Sequence, residues 1–139
     1  MAYFKPVRNV PAVVEFPCAT TAVITRGAPI ILSSGLATNA NDTTFADIIG
    51  VSAEGVSSPA DGRVGVFPAA SGAMFSFYST SHDATSIGVA YKTTCATNAV
   101  TLQTTAQVTT ASGFRVIDYD TNTSHAIVTI VNSGFNSDL

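Results

Sequence analysis

Apolar positions along this chain fall into short runs rich in Val, Ile, Phe and Tyr, cut off by Gly, Pro, Asn, Asp or Ser about every ten residues, which is the signature of strands joined by turns. The pattern predicts strands over 12–16, 21–25, 28–33, 36–38, 47–54, 63–68, 73–79, 87–93, 99–103, 114–119 and 125–131. Successive side chains of a strand point to opposite faces. Phe75 and Phe77 therefore share one face against Met74, Ser76 and Tyr78, and Phe114 and Val116 oppose Arg115, Ile117 and Tyr119. From Ala126 to Val131 both faces are apolar, so that strand is expected in the centre of a sheet or pressed against a neighbour. No window of helical length keeps a 3.6 period, and 43–49 predicts one short turn at most. The fold class is all-β, a small antiparallel β-barrel or sandwich rather than parallel βαβ units.

The first eleven residues break the pattern. Pro6, Pro11 and Pro17 disfavour regular strand pairing and favour extended backbone, while Tyr3, Phe4, Val7 and Val10 hang large apolar groups on it. Lys5 and Arg8 give residues 1–14 a charge of +2, so a net charge of −3 leaves −5 on the rest. Residues 1–11 thus read as an extended N-terminal arm able to lie across a neighbour and pair with an exposed sheet edge. An ordinary segment packed on its own barrel is the competing expectation. Residues 12–139 form one β domain, divisible, if at all, into halves 12–70 and 71–139. Removing 2–10 is expected to leave that domain folded.

Composition sharpens the picture through a shortage of charge. Charged residues make up 11% of the 139 residues and hydrophobic ones 46%; an average soluble domain carries about 25% charged residues. A monomer of this mass exposes on the order of 6,800 Å², or about one charge per 450 Å². Much of the outside is neutral, as it is where subunits meet. Six basic residues in an acidic chain argue against nucleic acid as a partner. No run of apolar residues is long enough to span a membrane, and the N-terminus lacks the form of a secretory signal, so synthesis in a cytoplasm is expected.

Candidate chemistry is sparse. Ser81-His82-Asp83 supplies the residue types of a hydrolytic triad, but adjacent residues on extended chain diverge, whereas a triad converges from separate segments. The stretch reads as a polar loop, and His82 and His125 as hydrogen-bonded or solvated histidines. Oxygen donors from Asp118 to Ser124 imitate the opening of a calcium loop, yet Thr123 stands where Gly is needed and Thr129 where the bidentate Glu belongs. A hairpin turn is the expectation there. Cys18 and Cys95 belong to no metal-binding spacing; they read as free thiols, with a bridge between them left open. No phosphate-binding glycine loop occurs. The expectation is no catalytic residue, no metal and no cofactor: not an enzyme.

Arg26-Gly27-Ala28-Pro29-Ile30-Ile31-Leu32-Ser33-Ser34-Gly35-Leu36-Ala37, then Asp47-Ile48-Ile49-Gly50-Val51-Ser52-Ala53-Glu54-Gly55 and Gly62-Arg63-Val64-Gly65-Val66-Phe67, resemble segments of the bacteriophage capsid decoration proteins, also called head-stabilising or cement proteins. Ala126–Val131 with Asn132-Ser133-Gly134-Phe135 is similar to the family's C-terminal strand. Physically, Gly27 can reverse the chain at positive φ, Ser34-Gly35 makes a tight hairpin placing Ile30 and Leu32 inward, and Gly50 and Gly65 mark a bulge, a corner or a close backbone approach. The resemblance implies a structural virion protein on the outer capsid surface, a homotrimer bracing the major capsid protein. Tyr3, Phe4 and Val7 would anchor the arm, with Lys5 and Arg8 meeting acidic capsid residues. The alternative is a carbohydrate- or receptor-binding module of a tail fibre or other minor virion component.

Overall fold

The computed structural model describes residues 3–41, 47–57, 61–69, 72–96, 99–107 and 112–131. Among the described residues, eleven strands form two antiparallel sheets. The larger sheet contains β1 (Lys5–Arg8), β7 (Met74–Tyr78), β8 (Ala90–Ala96), β9 (Ala99–Ala106), β10 (Gly113–Asp120) and β11 (His125–Val131), in the spatial order β1-β7-β11-β10-β8-β9. The smaller contains β2 (Val14–Pro17), β3 (Pro29–Ser33), β4 (Leu36–Asn39), β5 (Gly50–Ser52) and β6 (Arg63–Pro68), in the order β2-β6-β5-β3-β4. Its outer strands β2 and β4 also approach each other, so the sheet curls strongly.

Alternation decides what each sheet buries. Across the larger sheet, Phe75 opposite Val128, Phe77 opposite Ala126, and Phe114 opposite Ile130 and Tyr91 put bulky partners on one face. With Val116 they form the main core against Ile31 and Val51 of the smaller sheet and Ile48 beside it. β11 lies between β7 and β10, the interior place its two apolar faces require. The smaller sheet is apolar on its second face too, where Ile30, Val64 and Val66 pack on Cys18, Ile24, Ala37 and Ile49. This is why the Pro29-Ile30-Ile31 run is buried without alternation. Gly50 marks a close approach, since a Cβ there would lie 2.2 Å from the Phe67 carbonyl oxygen.

Three expectations are corrected. Residues 5–8 are not a detached arm: Lys5 pairs with Ser76, Pro6 with Phe75 and Arg8 with Met74, so the segment is an edge strand of its own domain. An edge tolerates Pro6 because its outward side has no ladder to complete. Residues 21–25 form no strand; Ile24 makes an isolated bridge to Val56 while covering the second core. Leu32 is 41% exposed: it shares a face of β3 with Ile30, but the second core that buries Ile30 does not reach it, while Ile31 on the other face enters the main core. The short turn expected over 43–49 lies mostly outside the described residues, as do Asn132–Phe135 of the C-terminal similarity.

Candidate partner-binding edge

Both sheets end on the same stretch of chain. β1 closes the larger sheet and β2 the smaller, so residues 9–13 pass from one open edge to the other. Asn9 makes the exit from β1 with φ of 48° and its side-chain amide donates to the Gly72 carbonyl over 2.8 Å. Of nine exposed large apolar side chains among the described residues, four fall here: Val7, Val10, Val13 and Val14. Such clustering marks an interaction surface more than scattered exposure does. The edge is also guarded against indiscriminate strand addition by Lys5, Pro6 and the register shift between Pro6 and Arg8. The edge is therefore better suited to side-chain contacts than to a continued hydrogen-bond ladder.

The five anchor candidates divide. Phe4 is 1% exposed and wedged between Phe77 and Phe114, with ring centroids 4.5 and 4.3 Å away, and its backbone N–H donates to the Gly27 carbonyl over 3.0 Å. It holds the fold and offers nothing to a partner. Tyr3 is half-buried; Lys5, Val7 and Arg8 are exposed. Gly27, at φ of 73°, accommodates Tyr3, because a Cβ there would come within 2.5 Å of the tyrosine ring. The ring lies on the turn that carries Arg26, so two cations gather round it: Lys5 Nζ is 4.9 Å and Arg26 Cζ 5.9 Å from its centroid.

Beside this ring opens a half-enclosed cleft of about 300 Å³, lined by Tyr3, Lys5, Pro6, Arg26, Ala53 and Phe67, with Phe4 and Ser52 behind. Ser52 Oγ is committed to structure, donating to the Thr25 carbonyl and accepting from the Ala28 N–H. Among the described residues no carboxylate lies within ion-pair distance of Lys5 or Arg26. Arg26 and Phe67 were not singled out by sequence reasoning as site residues. The one signal was Arg26 immediately before a turn glycine.

The remaining candidates are occupied by structure. His82 is buried; its Nε2–H donates to the Gln103 carbonyl over 3.0 Å, which leaves Nδ1 to accept a hydrogen bond from the Ser79 hydroxyl, 2.6 Å away. Tyr91 packs edge-on against the imidazole, and the Tyr119 hydroxyl donates to the Ser79 carbonyl, so this cluster ties the end of β7 to β9 and β10. Asp83, expected in a plain loop, caps a single 3-10 turn over Ala84–Ser86, and hydrogen bonds from Thr85 hold its carboxyl below the usual range. Asp120 accepts from the Asn122 N–H and Asp118 from the Tyr119 N–H, fixing the β10–β11 turn. Cys18 and Cys95 are both buried and free. No three metal-ligating side chains come together, and no helix is long and apolar enough to cross a membrane, among the described residues.

Compared with protein-family models, with curated proteins and with solved structures, the chain matches none.

Proposed function

We propose that this is a structural virion protein that binds the outside of an assembled phage head as a homotrimer and braces neighbouring major capsid subunits, without enzymatic activity. The observation that carries the reading is the apolar strip Val7, Val10, Val13 and Val14, flanked by Lys5 and Arg8, on an otherwise charge-poor β-sandwich. A lattice of capsid subunits offers many identical copies of one acidic and apolar surface. A trimer presenting three such strips would gain avidity from each arm of contact. The resemblance of the Arg26–Ala37, Asp47–Gly55 and Gly62–Phe67 segments to decoration proteins supports the same reading.

Deletion of residues 2–10 is a poor test, because it removes Phe4 from the core. Surface substitution is the clean one. Val7→Ser with Arg8→Ser should leave the melting temperature within a few degrees, surface changes being worth about 0.5 kcal/mol or less each. In co-sedimentation with expanded heads stripped of accessory proteins, the double variant should lose at least tenfold in apparent affinity. Pelleting equal to the unsubstituted protein, or no pelleting of either, would refute the reading.

A further inference from the structure

The reading above pairs Lys5 with Arg8, as neighbours along the chain. The fold pairs Lys5 with Arg26 instead, around one aromatic ring at the mouth of a cleft. We infer that this cleft is a receptor for a single Asp or Glu side chain of a partner protein, the carboxylate held between Lys5 and Arg26 and an adjoining apolar residue laid against Phe67.

Charge complementarity selects the ligand. The two cations have no carboxylate within reach among the described residues, although the chain as a whole is acidic. Half-enclosure by Phe67, Pro6 and Ala53 keeps water from part of the site, so a charge–charge contact there is worth more than on open surface. Tyr3 holds both cationic heads within 6 Å of its centroid before any partner arrives, which lowers the ordering cost of binding. The guanidinium of Arg26 can grip both carboxylate oxygens, while Lys5 serves as a point charge. A polyanion is disfavoured: two cations suit one carboxylate, and the net charge of −3 repels anything more negative. The apolar wall of Pro6, Ala53 and Phe67 then favours a peptide, whose neighbouring apolar side chain it can cover, over a sugar acid, which has only hydroxylated carbons to bury there.

The inference rests on the protein-binding reading above, and its test separates the two. Amide NMR spectra of the full chain are recorded with N-acetyl-Leu-Glu-Leu-amide, its Gln counterpart, and glucuronate. The Glu peptide should shift Tyr3, Lys5 and Gly27 at millimolar concentration, with the Gln peptide at least tenfold weaker. Lys5→Gln and Arg26→Gln should each weaken the Glu peptide about tenfold, as expected for loss of a charged hydrogen bond, while leaving thermal unfolding unchanged. Equal response to the Glu and Gln peptides, no response to either, or stronger binding of glucuronate would overturn the inference. So would stripped heads that bind the Lys5→Gln, Arg26→Gln double variant undiminished. A Glu peptide that binds as expected, alongside protein that ignores heads, would uphold the cleft and remove the capsid reading.

Discussion

At the scale of single residues, Phe4 and Cys18 carry the clearest physical consequences. Phe4 lies in the middle of the aromatic cluster despite standing near the start of the chain. Truncating such a side chain removes its burial and leaves a cavity, which together cost about 3–5 kcal/mol. Phe4→Ala should therefore lower the midpoint of urea unfolding by that equivalent, whereas Tyr3→Ala, on a half-buried ring, should cost clearly less. Cys18 is buried in the smaller core, and burial, with Asp61 and Glu54 adding their negative charge, pushes its thiol above the ordinary value of 9.0. The sign follows directly: the unfolded chain loses this proton first, so the contribution is complete below about pH 9 and is lost as pH rises toward the folded value. Stability measured between pH 8 and 10.5 should fall less in Cys18→Ala than in the unsubstituted protein, once the shared loss is subtracted.

At the scale of elements, the β3–β4 hairpin shows how a turn sets register. Ser34 and Gly35 both have positive φ, 52° and 80°, the requirement of a type I′ turn. Serine is the less suited of the pair. Ser34→Asn should stabilise the protein by roughly 0.5 kcal/mol, because asparagine tolerates the left-handed region better; chemical unfolding is the measurement. This turn was legible in the sequence, as were β6 and β11, whose bounds match the runs 63–68 and 125–131. Alternation and turn chemistry are local, so local sequence records them. β1 was not legible, since Pro6 and Pro11 argue against pairing unless the strand is known to lie on an edge, and edge position is set by residues 74–76 far along the chain. The run at 21–25 erred the other way: its apolar residues signal burial, but burial under a curled sheet rather than within one. The cleft escaped for the same reason as β1. Lys5, Arg26 and Phe67 meet only because Tyr3 settles on the Gly27 turn.

At the scale of the whole molecule, the two sheets come almost entirely from the two halves of the chain: β2–β6 make the smaller and β7–β11 the larger. The change of sheet falls between Pro68 and Met74. The halves do not stand apart, because Ile31, Ile48 and Val51 share a core with Phe75, Phe114 and Val128. The exposed area of 6886 Å² is that of a compact monomer of this mass, and it carries fifteen charged side chains. From Thr93 to Phe114 there is no ionic group at all, which leaves β9 a neutral outer strand, unlike β1 with its Lys5 and Arg8.

The placement of β1 also governs the order of events during synthesis. β1 belongs to a sheet whose other members, β7–β11, all begin at Met74 or later and so are synthesised long after it. Phe4 must wait for Phe77 and Phe114 before its ring has anywhere to go. Such sequence-distant closure makes the final step of folding a late one. The same Phe4 that locks the domain shut stays uncovered until Phe114 has been made, so the outer edge formed by Lys5–Arg8 takes shape only once β10 is present.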